Sequence, residues 1–342
     1  MKKFDVLFEE IKKSNRVLII GHTNPDGDCI ASMLTIGLLL ESLEKDYEIN
    51  HSDSYPACLN FFPYLEKIKI CDSIQGSFDL TIAVDTPSLK RMCYNYDSAK
   101  MGKLLVIDHH FTNEGFGDEN FVFKSIGSTC EIIYEFFKKI MFPFTPQIAT
   151  LLFTGIATDT GYFQYRTANA HTFNIAADLI NRGAEHNIIY EEIWKNKKFE
   201  HVKLISQIIS STEIILPLKL GWVKIDISIS ESGSLDENQY SDIINQITSI
   251  NGIRVAVMFR QVNGSTVCEF RSRSKFPVYM VAQFFGGGGH FYASGCTIPY
   301  KIDKTEKIVI SKIKEMIKEF DLSGEIRLEG SEFVSDSVCS VK

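Results

Sequence analysis

The chain is most constrained by Gly21-His22-Thr23-Asn24-Pro25-Asp26-Gly27-Asp28, a tight turn set between two apolar segments. Before it, Arg16-Val17-Leu18-Ile19-Ile20 reads as a buried strand, because a strand covered on both faces is a continuous apolar, β-branched run. After it, the stretch from Cys29 to Leu40 is apolar on nearly every face and reads as a buried helix. It is too short and too interrupted to span a membrane. Strand, turn and helix in this order put the turn at the carboxyl end of a strand, where open α/β sheets hold their ligands. Pro25 and Gly27 bend the chain and bring His22, Asp26 and Asp28 together. Asn-Pro-Asp-Gly is also ordinary turn chemistry. One imidazole and two carboxylates at one strand end nevertheless suit a Mn²⁺, Fe²⁺, Co²⁺ or Zn²⁺ ion.

The flanking chain alternates strands and helices. Phe4, Leu7, Phe8 and Ile11 share one face of an opening helix. Tyr47-Glu48-Ile49 and Lys67-Ile68-Lys69-Ile70 read as strands, and Leu80 to Val84 and Leu104 to Ile107 as apolar, buried ones. Ser128-x-x-Glu131 is a capping box that opens a helix through Phe137. A nearly all-apolar helix follows from Pro146 to Thr158, and another from His171 to Asn181, closed by Gly183. This alternation predicts a doubly wound, mostly parallel sheet covered on both faces, over residues 1–185.

Residues 186–211 read as a helical connector carrying a cluster of charges. Beyond it the texture changes. A strand over Gly221 to Ile229 and a helix over Asp236 to Ile250 are expected. Two further strands, Arg254 to Val262 and Thr266 to Ser272, flank Asn263-Gly264, a strong hairpin signal. Four glycines, Gly286 to Gly289, precede His290, and a closing helix follows in which Val309, Ile313, Met316, Ile317 and Phe320 share a face. The expectation is a smaller C-terminal α/β domain over 212–322 and a loosely held polar tail over 323–342.

The 342 residues suffice for two domains with sizeable cores. The net charge of −7 argues against a protein that coats long nucleic acid, since that affinity rests on a basic surface. A small phosphate substrate remains compatible, because bound metal ions supply local positive charge. The eight cysteines contain no C-x-x-C pair and read as reduced thiols of a cytoplasmic protein. Asp5, Glu9 and Glu10 interrupt any apolar leader, and no membrane segment is expected. A homodimer is compatible with this reading.

Four apolar segments end in metal-type residues, read as four strand ends: His22/Asp26/Asp28, then Asp85, then Asp108-His109-His110, then Asp159. Each segment would bury its carboxylate at a cost unless something paired with it. His22, Asp26, Asp28, Asp85, His109 and Asp159 are too many donors for one catalytic zinc, which keeps an open position. They suit two ions sharing one carboxylate, the usual device for phosphoester hydrolysis by an activated water.

The motifs His22-x-x-Pro25-Asp26-Gly27-Asp28, Asp108-His109-His110, Asp159-Thr160-Gly161 and Gly286-Gly287-Gly288-Gly289-His290, in this order and spacing, resemble the DHH phosphoesterase superfamily. The resemblance runs from about Arg16 to about Phe320. It implies that His22, Asp26 and Asp85 hold one Mn²⁺ and that Asp28, Asp85, His109 and Asp159 hold the other, with Asp85 bridging. Other divalent transition metals fit the same donors. Asp108 would orient the neighbouring histidines, and His110 would face the phosphate. The second half resembles the DHH-associated C-terminal domain, in which Gly286 to Gly289 and His290 form a substrate loop and Arg271 and Ser272 grip phosphate or base. Backbone N–H groups of a glycine run can cradle a phosphate with no side chain in the way.

The activity implied is a cytoplasmic, Mn²⁺-dependent phosphodiesterase acting in a cleft between its domains. Cyclic di-AMP and its linear product pApA are the first substrates suggested. A pAp 3′-phosphatase with nano-RNase activity is the alternative. A single-strand exonuclease, a pyrophosphatase and a non-catalytic nucleotide sensor rank below it. Two departures from the family pattern stand out: Cys29-Ile30-Ala31-Ser32 where smaller residues are usual, and Ser294 in place of alanine. Neither is expected to touch a proposed ligand.

Overall fold

The computed structural model describes residues 2–195, 198–225, 235, 237–273 and 275–323. The chain divides into two compact units, 1–196 and 197–342.

The first unit opens with helix α1 (Lys2–Lys13) and continues through β1 (Arg16–Ile20), α2 (Gly27–Ser42), β2 (Asp46–His51), β3 (Ile68–Ile70) and β4 (Leu80–Val84). The short α3 (Ser98–Met101), β5 (Lys103–Asp108), β6 (Glu119–Val122), α4 (Thr129–Lys139) and α5 (Pro146–Asp159) come next. The unit closes with α6 (Ala170–Asn181), the single turn α7 (His186–Ile189) and a π-helical turn, Tyr190–Lys195. The six strands form one sheet in the order β3-β2-β1-β4-β5-β6. Every pair in it is parallel. After β3 the chain returns past β1 to lay down β4 on its other side, so the direction of winding reverses between β1 and β4. Such a switch point leaves a crevice at the carboxyl ends of the two strands, and ligands settle there.

The apolar runs are buried because each strand alternates between two covered faces. Val17, Ile19, Ile82, Leu105 and Ile107 face the core built with α1, α2, α4, α5 and α6. Leu18, Ile20, Ala83, Leu104 and Val106 face the opposite side. There the cover is the β4–β5 connection, through Met92, Tyr94 and Met101, rather than a second layer of long helices.

Caps fix the helix starts near the crevice. Asp26 accepts the N–H groups of Asp28 and Cys29 at the head of α2. Ser128 accepts the Glu131 N–H at the head of α4. The Glu131 side chain accepts the hydroxyl of Thr172 in α6, which ties the two helices together.

The second unit contains α8 (Phe199–Ser210), β7 (Glu213–Ile215), β8 (Leu220–Ile225), α9 (Glu237–Ser249), β9 (Val255–Val262) and β10 (Ser265–Ser272). It continues with α10 (Val278–Phe284), β11 (Gly288–Gly289), β12 (Ala293–Ile298) and α11 (Ile302–Ser323). The sheet order is β11-β12-β10-β9-β8-β7, with only β8 and β9 parallel. Ala256 and Met258 face α8 and α9, whereas Val255, Val257 and Phe259 face α10 and α11. Asn263 and Gly264 both have positive φ, as the tight hairpin requires. Residues 226–229 of the expected strand, Asp236, and the tail beyond Ser323 lie outside the described residues. Among the described residues no helix is long and apolar enough to cross a membrane.

Gly155 lets α4 and α5 approach. A Cβ there would sit 2.3 Å from Cys130 Sγ and 2.9 Å from an Asp28 carboxylate oxygen. Gly155→Ala should therefore destabilise the protein. Overpacking costs about 1–3 kcal/mol, more than the roughly 1 kcal/mol that alanine gains in a helix. The urea midpoint should fall with the slope unchanged, and an unchanged midpoint would show that the helices have room to spare.

Candidate metal centre

At the carboxyl end of β1 the turn does two jobs with the same residues. One oxygen of Asp26 caps α2 and lies 3.8 Å from His22 Nε2. His22 is buried, and its Nδ1 lies 2.9 Å from the Thr23 carbonyl. A carbonyl only accepts, so Nδ1 carries a proton and Nε2 is the nitrogen turned to the carboxylates. Turn chemistry and donor chemistry thus coexist in this segment.

Asp85 follows β4 directly and lies at the centre of the cluster. One oxygen faces His22 Nε2 at 3.4 Å, and the other faces His109 Nε2 at 3.5 Å. The second oxygen also accepts the Thr129 hydroxyl at 3.0 Å. Asp85 has φ of +51°, a left-handed conformation that costs energy in a non-glycine residue and persists where its surroundings hold it.

His109 and His110, after β5, have different neighbours. His109 Nδ1 lies 3.3 Å from the Ile126 carbonyl, and Nε2 lies 3.0 Å from an Asp159 oxygen. His110 Nδ1 donates to Asp108 at 2.8 Å. Asp108 is fully buried, and its other oxygen accepts the Asn113 amide at 2.7 Å. Asp108 thus hydrogen-bonds His110 and feels the charge of His109 as well. Asn113 also donates to the Thr86 carbonyl, so the brace runs back to the end of β4.

Asp28 is fully buried. Its two oxygens accept the N–H groups of Thr129 at 2.6 Å and Cys130 at 2.9 Å, the first residues of α4. The positive end of a helix dipole is a favourable seat for a carboxylate. Each oxygen retains a second lone pair. The sequence reading missed Thr129, Cys130 and Asn113. The capping signal at Ser128 placed a helix start nearby, but nothing local reveals which carboxylate it meets about a hundred residues away.

Two expectations need correction. Asp159 ends helix α5, the helix expected over Pro146 to Thr158, and so is not a strand end like the other three. Cys29 does not stand clear of the donors. Its Sγ, the donor atoms of His22 and those of Asp85 all lie within 4.8 Å of one another. Burial pushes the thiol well above its usual range, so it is neutral.

The electrostatics favour a cation. Burial pulls the imidazoles of His22 and His109 down, but the carboxylates around them outweigh it and hold both well above the usual histidine range. Asp85, despite burial, is held well below the usual carboxylate range by His109 and His22. Asp28 is raised by burial and by the charges of Asp85 and Asp159. Asp159 is pushed up to about 7 by burial, then by Asp26 and Asp85, and it also sits at the negative end of a helix. Four carboxylates converge on two imidazoles. Both imidazoles offer Nε2 with Nδ1 engaged by a backbone carbonyl, the arrangement usual for metal-ligating histidine. A nitrogen and oxygen donor set of this kind fits divalent transition metals.

In the second unit, Arg271 and Ser272 end β10. Arg271 Nε and Ser294 Oγ are buried without a hydrogen-bond partner. The glycine run divides in two. A Cβ on Gly287 would lie 2.1 Å from the Gly295 carbonyl oxygen, and one on Gly289 would lie 2.6 Å from Ser294 Cα. These two glycines are required by the close approach to β12. Gly286 and Gly288 meet nothing within 4 Å. The N–H groups of Gly286, Gly287 and His290 already donate to Gln283, Ala282 and Ala293. A phosphate cradle made from those three amides is therefore not what the loop offers, because the end of α10 and the β11–β12 turn use them.

Residues 16–156 match the DHH family N-terminal domain and residues 225–320 match the DHHA1 domain. The chain thus has a DHH family N-terminal domain followed by a DHHA1 domain, and it is a phosphoric ester hydrolase. It is 25% identical over 300 residues to the bifunctional oligoribonuclease and PAP phosphatase NrnA of Thermus thermophilus, covering 87% of this chain and 89% of the relative. It is 25% identical over 334 residues to the protein of the same name in Bacillus subtilis, covering 92% and 99%. In fold it is similar to an exopolyphosphatase-related protein from Bacteroides fragilis, with a TM-score of 0.84 at 22% identity, covering 94% and 98%.

If repulsion dominates at Asp159, neutralising it should help the metal-free protein and harm metal binding. A carboxyl raised to about 7 stabilises the fold while protonated and loses that contribution as pH rises towards and through 7. Asp159→Asn should therefore raise the Tm of chelator-treated protein at pH 8, by about 2–4 °C for each kcal/mol relieved, while weakening divalent-metal binding. A lower Tm in chelator would mean that the pairing with His109 outweighs the repulsion.

Proposed function

We propose that this chain is a divalent-metal-dependent phosphoesterase that removes the 3′-phosphate of pAp and degrades very short oligoribonucleotides. The observation that carries the reading is Asp85, whose two oxygens face two different histidines, each offering Nε2. His22, Asp26 and Asp85 would hold one ion; Asp28, Asp85, His109 and Asp159 would hold the other. Mn²⁺ is the first choice for both. When bound, such a pair activates a water nucleophile and offsets charge on the phosphoryl oxygens.

The remaining chemistry belongs to the chain. His110 donates Nδ1–H to Asp108, which fixes the ring and leaves Nε2 as the atom that hands a proton to the leaving oxygen. Arg271, with Nε lacking a partner inside the protein, binds a substrate phosphate. Ser272, Gly286 to Gly289 and His290 complete the substrate loop. Here the glycines serve through their small size and the chain path they allow, not through the three amides already engaged.

The substrate order differs from the one the resemblance alone suggested. The Thermus and Bacillus relatives, matched over nearly their whole length, are named for oligoribonuclease and PAP phosphatase activity. That supports pAp and short RNA ahead of cyclic di-AMP and pApA.

One panel tests this: purified protein with Mn²⁺ against pAp, a trimeric RNA, pApA, cyclic di-AMP and pyrophosphate, repeated with His110→Ala and Arg271→Ala. Wild type should turn over pAp and the trimer fastest. His110→Ala should lower kcat by about 10²–10⁴ with metal content retained. Arg271→Ala should raise KM for nucleotides about 10–100-fold, the loss of one charge-assisted contact, and leave pyrophosphate hydrolysis unaffected. Faster turnover of cyclic di-AMP would reverse the substrate order. Loss of an ion in His110→Ala would make that residue a ligand.

A further inference from the structure

His51 ends β2, is fully buried, and has no part in the chemistry described so far. Its Nε2 lies 2.9 Å from the backbone carbonyl of His22. Its Nδ1 lies 2.9 Å from both the amide nitrogen and the carbonyl oxygen of Asp53. Whichever of these Nδ1 engages, Nε2 meets a carbonyl oxygen and so must carry a proton. Two residues further on, an Asp53 carboxylate oxygen accepts the Asn24 N–H at 2.8 Å. Asn24 is left-handed, with φ of +56°, a conformation asparagine tolerates where something holds it. From the other side, the Arg91 carbonyl accepts the Thr23 N–H at 2.7 Å, and the Cys93 N–H donates to the Gly21 carbonyl at 3.0 Å.

We infer that His51 and Asp53 are positioning residues that lock the turn bearing His22 into the conformation able to hold one of the two divalent ions. The ion-binding half of this inference rests on the metal reading above; the locking half rests on the hydrogen bonds alone. The link is mechanical. The His22 ring is aimed by its own bond to the Thr23 carbonyl, which belongs to the 23–24 peptide, so its direction follows that peptide and the 22–23 peptide before it. Asp53 holds the 23–24 peptide through the Asn24 N–H, and the 22–23 peptide is held by His51 on the His22 carbonyl and by Arg91 on the Thr23 N–H. An apolar residue at 51 would leave the His22 carbonyl buried and unpaired. The peptide would then turn to find a partner, swinging Nε2 away from Asp85.

The effect is confined to one side of the centre. Asp28 is held by the head of α4, His109 by the Ile126 carbonyl, and Asp159 by the end of α5. None of these depends on β2. A general loss of stability would weaken both ions, whereas loosening this turn weakens one.

The test uses the full chain, stripped of metal, as wild type and as His51→Ala, His51→Gln and Asp53→Ala. Mn²⁺ titration reads the two affinities, and amide exchange in the metal-free protein reads the backbone of residues 22–24. His51→Ala and Asp53→Ala should weaken one ion about 10–100-fold, the usual effect of removing a group that orients a metal ligand. They should leave the other ion unchanged and speed exchange in the turn. His51→Gln, whose amide N–H can stand in for Nε2–H, should restore most of both. Equal weakening of the two ions, unchanged binding and exchange, or a glutamine variant no better than alanine would each overturn the inference. Should His51→Ala fail to fold, Asp53→Ala, on a partly exposed loop, carries the same test. If wild type takes up no Mn²⁺ while both alanine variants still speed exchange, the metal reading of the site falls and the lock stands.

Discussion

Asp85 is the point at which the sheet and the site become one structure. It leaves β4 in a left-handed conformation, is almost wholly buried, and shares its two oxygens between His22 and His109. Those histidines come from strands on either side of β4, namely β1 and β5. A buried carboxylate in that position is tolerable only if positive charge meets it from both directions. Much of the first unit can be read as supplying that condition. The order of the strands brings the two histidines to flank the acid, and the Thr129 hydroxyl steadies it from the head of α4. The remaining acids add more negative charge than the imidazoles offset.

That excess also explains why the helices pack as they do. Asp28 is buried against the head of α4, and Gly155 of α5 has no side chain because Cys130 and that same carboxylate occupy the space. The apolar packing of α4 and α5 therefore sets the position of a charged group. In the second unit the glycines play a comparable steric role. Gly287 and Gly289 allow β11 to lie against β12, whereas the positions between and before them stay open.

Much of this was legible in the sequence, for identifiable reasons. The parallel sheet announced itself because strands buried on both faces must be apolar throughout, and β1, β4 and β5 are. The donors at 22, 26, 28, 85 and 109 stood out because acids and imidazoles placed at the ends of such runs are costly to bury unless they bind something. Asp159 stood out as a candidate by its place after an apolar run and was grouped with the strand ends, although the run itself reads as a helix and is one. What could not be read were partners made by tertiary contact alone: the α4 amides on Asp28, the Asn113 brace on Asp108, and His51 beneath the turn. A histidine following Tyr47-Glu48-Ile49-Asn50 carries no local sign that its ring will meet a carbonyl 29 residues earlier. The backbone of the glycine loop misled for a related reason. A run of glycines shows that amides can be exposed, but not which ones α10 and the β11–β12 turn have already taken.

The strand order also bears on when the centre comes into being as the chain folds. The donors from the first turn, 22 to 28, belong to β1 and α2, which can pair with β2 and β3 early. Asp85 and His109 arrive only when the chain has crossed back and β4 and β5 have docked, and Asp159 arrives with α5. A partly folded first unit thus carries half a set of donors and little affinity for an ion. Cations that bind only the finished arrangement stabilise it by mass action. If their contacts formed only after the folding transition state, they would slow unfolding and not speed folding. An ion so bound would be a latch on a completed sheet, and the lifetime of the native state would become a function of metal supply.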